Sequence, residues 1–330
     1  MAARRALVTG IAGQDGSYLA ERLLGEGVEV VGVVRPGGDR EPANLAAVIG
    51  ELTLVEAALE DHAALRAVVG DVRPDELYHL AAPTFVPDSW ADPTATVQAI
   101  AGGTAALLAA VLAGAPDASV VVASSSEVFG DAGESPQTER SPMRPRSPYG
   151  VAKLAAHGLV GTMRERHGLR AASAITFNHE SVRRPERFLP RKVTRGAAAI
   201  ALGLQDELVL GDLDAVRDWS DARDVVRALT LIARADAPGD FVLASGVGRT
   251  VGDLVQAAFD RAGADPEGRI RVDPAFVRPP EAWAPVGDPT RARRLLGWEP
   301  EFSFEDTIGA MVEADLAALR ASSAVGAPPG

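Results

Sequence analysis

Two short stretches of the chain carry residue types that do chemistry at useful spacing. In Ser147-Pro148-Tyr149-Gly150-Val151-Ala152-Lys153 a tyrosine and a lysine stand four positions apart, which puts them on one face of a helix. Pro148 suits the first turn of that helix. An ammonium beside a phenol stabilises tyrosinate and lowers a pKa that is otherwise about 10. Tyr149 then becomes a base able to take a proton from a substrate hydroxyl near neutral pH. Upstream, the apolar run Val120-Val121-Val122-Ala123 ends in Ser124-Ser125-Ser126-Glu127. It reads as a buried strand delivering hydroxyls and a carboxylate to the carboxyl edge of a sheet, where open α/β folds bind ligands. Glu127 is either an acid-base group there or a carboxylate satisfied at a strand end.

Those residues need a sheet to hold them, and the first forty residues supply its opening. Ala6-Leu7-Val8-Thr9 reads as a short buried strand and Gly10-Ile11-Ala12-Gly13-Gln14-Asp15-Gly16 as a turn. Ser17 to Leu24 reads as a helix with Leu19, Ala20, Leu23 and Leu24 on one side, and Val28 to Val34 as a second strand. Strand, glycine turn, helix and strand form the first βαβ unit of a dinucleotide-binding sheet, in which Gly10, Gly13 and Gly16 let the backbone approach a pyrophosphate. The spacing is GxxGxxG in place of the more general GxGxxG. At the end of the second strand, where an NAD enzyme offers an acidic side chain to the ribose, the chain has Val34-Arg35 and a Pro-Gly-Gly turn. An arginine there pairs a 2′-phosphate or is a solvated loop charge; the first alternative makes NADP the expected cofactor.

The alternation continues with strands at Leu52–Val55, Glu76–Leu80, Ser119–Ala123 and Ala171–Phe177, and helical segments near 61–70, 94–113 and 148–168. The expected fold is therefore an α/β, Rossmann-type doubly wound parallel sheet spanning 1–177. From Asn178 to Arg195 the chain reads as irregular and basic. A strand at Phe241–Ala244 and helices at Val251–Ala262 and Phe304–Leu319 follow between proline-rich connections. We assign 178–218 and 245–320 to a smaller substrate-binding lobe, with 219–244 returning to the sheet and 321–330 forming a loose tail.

Composition narrows the function classes. The 33 basic residues against 45 acidic ones leave a formal charge of −12, which opposes broad association with nucleic acid or an anionic membrane. With no cysteine, and with His62, His79, His157, His167 and His179 lacking HExxH spacing, no metal site is expected. No leader or run of about 18 apolar residues is evident, and the expected location is cytoplasmic. Only Lys153 and Lys192 among the basic residues are lysines. A position that keeps lysine in such a chain needs a compact ammonium or retains it by chance.

Thr9 to Gly16 together with Ser125, Tyr149 and Lys153 resemble the extended short-chain dehydrogenases. Within that group, Gly10-Ile11-Ala12-Gly13-Gln14-Asp15-Gly16-Ser17-Tyr18-Leu19, Phe177 to Arg184, Arg191 to Arg195, Gly211 to Trp219 and Gly287-Asp288-Pro289 resemble the GDP-mannose 4,6-dehydratases. The resemblance implies Ser125, Glu127, Tyr149 and Lys153 as catalytic residues. It implies NADP held by Gly10, Gly13, Gln14, Asp15, Gly16, Arg35, Leu59, Leu80, Ala81, Ala82, Tyr149, Lys153, His179 and Arg184. It further implies a nucleotide sugar, GDP-mannose, held by Thr84, Ser125, Glu127, Asn178, Lys192, Arg217, Arg278 and Glu281, in a homodimer or homotetramer. Tyr149 takes the C4 hydroxyl proton as hydride leaves C4, Glu127 moves protons between C5 and C6, and hydride returns to C6.

The chain departs from that family at several positions. Ala58 stands where an adenine-contacting aspartate is usual, Ala95 where a tyrosine is usual, Pro83-Thr84-Phe85 where the family has a Gln-Ser-His type segment, and Pro36 where a second arginine is found. Two other function classes remain open at this level: another nucleotide-sugar reaction, C4 epimerisation or 4-keto reduction, and an NADP-binding regulatory protein.

Overall fold

The computed structural model describes residues 4–38, 43–276 and 283–325. Its first half runs β1 (Arg5–Thr9), α1 (Gln14–Gly25), β2 (Glu29–Val34), β3 (Thr53–Glu56), α2 (His62–Val72), β4 (Glu76–His79), α3 (Asp88–Ala91), α4 (Pro93–Val97), α5 (Gly103–Gly114), β5 (Ser119–Ala123), α6 (Pro148–His167) and β6 (Ala171–Thr176). The second half runs β7 (Asn178–Glu180), α7 (Leu189–Ala201), β8 (Leu208–Leu210), β9 (Val216–Asp221), α8 (Ala222–Ala233), β10 (Asp240–Leu243), β11 (Gly248–Thr250), α9 (Val251–Ala262), β12 (Ile270–Val272), α10 (Thr290–Leu296) and α11 (Phe304–Val325).

Seven strands form one sheet in the order β10-β6-β5-β4-β1-β2-β3, every neighbouring pair parallel. This is a Rossmann-type sheet. Both faces must be covered for such a sheet to be stable, and the sequence supplies two apolar layers. One packs Leu19 and Leu23 of α1 with Val225 and Leu229 of α8; the other packs Leu65 and Val69 of α2 with Leu107, Leu108 and Val111 of α5. A third core gathers Val193 and Ala197, Leu208 and Leu210, Trp219, Leu254, Phe259, Ile308 and Met311 from α7, β8, β9, α9 and α11.

Four sequence expectations change. The stretch from Asn178 to Arg195 is not irregular throughout, since β7 and the first half of α7 lie within it. Its charged residues hid an i, i+4, i+7 apolar face at Val193, Ala197 and Ile200. Within 245–320, α10 and Trp298 leave the second lobe. Ala292 and Trp298 are buried in the α1–α8 layer, and the Trp298 indole donates to the Asp224 carbonyl at 2.8 Å. The tail from 321 is helical as far as Val325. Finally, Pro93–Gly114, comprising α4, a π-helical turn at Gln98–Gly102 and α5, is long and apolar enough by length and composition to cross a membrane. Leu107, Leu108, Ala110 and Val111 from it are buried beside α2, so its apolar face serves the core.

Candidate active site

The glycine turn is fixed by close backbone contacts. Gly10 has φ +73°, and a Cβ there would lie 2.8 Å from the Ala81 amide nitrogen. Only glycine lets the turn meet Leu80 and Ala81 at the end of β4. The Thr9 hydroxyl accepts from the Ala81 N–H at 3.3 Å and is 2.7 Å from His79 Nδ1. Burial pushes His79 down to about 3, so its ring stands neutral beside the threonine hydroxyl. Gly13 caps α1 in an extended conformation without any side-chain hydrogen bond. The first-turn N–H groups are thus free of a side-chain acceptor, which suits an anionic pyrophosphate.

Asp15, in that first turn, is tied to β7. Its Oδ2 lies 2.9 Å from His179 Nε2, while His179 Nδ1 lies 2.7 Å from the Phe177 carbonyl. Both partners are acceptors, so both ring nitrogens carry protons and His179 is an imidazolium. Burial opposes this charge, but Asp15 more than offsets it and the His179 pKa is raised. Burial likewise opposes the Asp15 carboxylate, which the imidazolium nevertheless holds below its usual range. Gln14 completes the tie, donating to the His179 carbonyl at 3.1 Å and accepting from the Ser181 hydroxyl at 2.9 Å.

At the ends of β5 and the start of α6 the sheet brings together Ser125, Glu127, Tyr149 and Lys153. Ser125 caps the turn of residues 126–128, accepting from the Glu127 N–H at 3.2 Å. Ser147 caps α6, and its hydroxyl also reaches Glu127 Oε2 at 3.5 Å. Gly150 permits this approach, since a Cβ there would lie 2.6 Å from the Glu127 carbonyl oxygen. Tyr149 is buried and hydrogen-bonded to Ser125. The sequence marked the helix start through Pro148; the cap by Ser147 and its reach to Glu127 appear once the two elements meet.

The expectation that Lys153 lowers the Tyr149 pKa is not met. Burial pushes Tyr149 up to about 12, the Ser125 hydrogen bond offsetting part of this and the Glu127 charge adding to it. Lys153 Nζ donates to the Ala123 carbonyl at 2.7 Å and stands 5.8 Å from the Tyr149 ring centre. Burial brings Lys153 down to about 8, which leaves it mostly charged at neutral pH.

The remaining sequence candidates divide into groups. Leu80 and Ala81 meet the glycine turn, and Ala82 packs against the cluster containing Tyr149. Leu59 is half-buried beside Gly103, Arg35 is exposed at the end of β2, and Thr84 is exposed beyond β4. Arg184 ion-pairs the buried Glu180 at 3.1 Å and stacks 3.9 Å from the centre of the Phe188 ring. The i, i+4 spacing of Glu180 and Arg184 was the available sign of that pair. Asn178 pairs with Trp219, placing β7 beside the strand that carries Arg217, and Lys192 lies in the first turn of α7. Arg278 and Glu281 fall outside the described residues. A surface cavity of 560 Å³ opens at the opposite, amino edge of the sheet and contains none of these groups. Its buried Glu76 is already paired with Arg4 and Arg234.

With this geometry in place, the relationships of the chain are specific. The family model described as GDP-mannose 4,6 dehydratase matches residues 7–311. The chain belongs to the GDP-mannose 4,6-dehydratase family. It is 40% identical over 341 residues to the GDP-mannose 4,6-dehydratase of Sinorhizobium fredii (strain HH103), covering 96% of this chain and 97% of that one. Among solved structures, RMD from Pseudomonas aeruginosa complexed with NADPH superposes with a TM-score of 0.80 at 27% identity, covering 96% of this chain and 99% of that chain. DesIV, a dTDP-glucose 4,6-dehydratase from Streptomyces venezuelae with NAD and TYD bound, superposes with a TM-score of 0.82 at 26% identity, covering 94% and 96%. The family therefore agrees with the resemblance carried by the glycine turn and the Phe177–Arg184 segment.

Proposed function

We propose that the protein is a GDP-mannose 4,6-dehydratase that converts GDP-mannose to GDP-4-keto-6-deoxymannose with a nicotinamide cofactor, NADP in particular. The observation that carries the reading is the convergence of Ser125, Glu127, Tyr149 and Lys153 on one edge of the sheet in a chain of this family. The glycine turn fits the cofactor because its one left-handed residue is a glycine and the start of α1 has no side-chain cap. Arg35, at the end of β2, supports NADP over NAD by pairing a 2′-phosphate.

When bound, the cofactor supplies the hydride acceptor and donor. Tyr149, held by Ser125, takes the C4 hydroxyl proton once it has released its own, while the Lys153 ammonium stays on the Ala123 carbonyl at the same edge. Glu127 then removes the C5 proton made acidic by the neighbouring ketone and delivers a proton to the departing C6 hydroxyl. Ser147, within reach of its Oε2, orients that carboxylate. Self-association belongs to the same proposal. Trp90, Val97 and Val151 are 64%, 40% and 51% exposed on α3, α4 and α6, elements that pack against one another, and offer apolar surface to a second copy.

Incubation of the purified protein with GDP-mannose tests the reading. The product should be lighter by one water, with no net change in the reduced cofactor. GDP-mannose returned at unchanged mass with altered stereochemistry would replace the dehydratase by an epimerase.

A further inference from the structure

Lys192 is one of two lysines in an arginine-rich chain, and its surroundings account for its retention. Its neighbours Arg191 and Arg195 pair with Asp315 at 2.9 Å and Glu186 at 3.2 Å. Lys192 has no acidic partner among the described residues; its ammonium stands 4.8 Å from the centre of the Phe276 ring. Phe276 is brought there by the pairing of β8 with β12, which places Leu210 opposite Val272. A Cβ at Gly211 would lie 2.5 Å from the Phe276 carbonyl oxygen, so the glycine after β8 is what allows the aromatic residue to settle.

Three rings in this chain meet an arginine at close range instead. Arg183 lies 3.9 Å from the centre of Tyr18, Arg184 3.9 Å from Phe188, and Arg223 3.6 Å from Phe302. Those rings are half-buried, whereas Phe276 is 57% exposed. A planar guanidinium at those distances covers the ring it meets, while a compact ammonium leaves most of it open. The start of α7 beside Lys192 also lacks a side-chain cap, so the phosphates and an aromatic heterocycle of one ligand find complementary surfaces side by side.

We infer that Phe276 is the stacking platform for the base of the nucleotide sugar and that Lys192, kept as lysine, pairs its diphosphate without covering that platform. This rests on the nucleotide-sugar reading above and adds to it the residue that favours a purine over a pyrimidine, the purine having the larger stacking area.

The test is binding of GDP and UDP to the full chain, followed by calorimetry and by the loss of guanine absorbance that accompanies stacking. Phe276→Ala should weaken GDP on the order of 10- to 100-fold, the range for removing one base–aromatic stack. It should abolish the absorbance change and shrink the preference for GDP over UDP. Phe276→Trp should keep all three. Lys192→Arg keeps the charge yet should still weaken GDP, because the fork lies over the ring. Thermal stability should barely change in Phe276→Ala, because its ring is exposed. GDP affinity and absorbance change equal to the parent's in Phe276→Ala would overturn the inference, as would full GDP affinity in Lys192→Arg. A parent that binds GDP with this signature but does not convert GDP-mannose would defeat the dehydratase reading and leave the platform standing. Conversion of GDP-mannose by Phe276→Ala with unaltered KM would do the reverse.

Discussion

The ion pair between Asp15 and His179 gives a prediction whose size and pH dependence both follow from geometry. Asp15→Asn keeps the shape of the side chain but removes the charge that holds His179 as an imidazolium. A charge-assisted hydrogen bond of this kind is worth about 1.5–3 kcal/mol, and Asp15→Asn should cost about that much where the pair is fully charged. His179 has a raised pKa, so its contribution is complete below the unfolded value of about 6.5 and disappears as pH climbs through the raised value. Asp15 has a lowered pKa, so its contribution is present above about 3.9 and is lost as pH falls through the lowered value. The pair therefore acts in full from roughly pH 4 to 6.5. Above that window a neutral His179 still donates to Phe177 and turns a lone pair toward the Asp15 carboxylate. Urea unfolding of parent and Asp15→Asn at a series of pH values should show a stability difference that is largest near pH 6 and shrinks toward pH 9. A difference that stays constant across that range would refute the imidazolium assignment.

The other predictions concern the chemistry and its scaffold. Glu127→Gln should lose about 10²–10⁴-fold in turnover while still allowing partial cofactor reduction by GDP-mannose, seen as absorbance of the reduced nicotinamide; undiminished turnover removes Glu127 from the mechanism. Arg35→Ala should erase most of a roughly 10- to 100-fold preference for NADP over NAD, measured by titration of the two cofactors. Gly150→Ala should destabilise the fold by about 1–3 kcal/mol and lower turnover together, because its Cβ would meet the Glu127 carbonyl oxygen at 2.6 Å and Pro145 Cβ at 2.9 Å. Thermal unfolding and steady-state kinetics check it.

Much of the first half was legible because its physics is local. A buried strand, a glycine turn and an amphipathic helix announce themselves over a few residues, and Tyr149 and Lys153 share a helix face by spacing alone. The second half hid its order where charged residues interrupt apolar periodicity. Arg191, Lys192 and Arg195 masked the buried face of α7, and Trp298 shows its place only when it packs against α8, far away in the chain. At the site, residue types were readable but their pairings were not. Sequence offered Lys153 as the partner of Tyr149, whereas the ammonium is held by the Ala123 carbonyl and burial raises the phenol pKa. Asp15 and His179 were both visible as cofactor residues, yet their ion pair depends on the meeting of α1 with β7. Likewise nothing near Lys192 in the sequence points to Phe276, since β8 and β12 join them.

The central claim is an internal transfer in which the hydrogen leaving C4 returns to C6 of the same sugar. GDP-mannose carrying deuterium at C4 tests it most directly. The account requires the deuterium to appear at C6 of the GDP-4-keto-6-deoxymannose product, with one solvent-derived hydrogen at C5 and no net consumption of cofactor. Deuterium returned to C4 of an unaltered or epimerised hexose, or lost to solvent with stoichiometric use of the reduced cofactor, would contradict it.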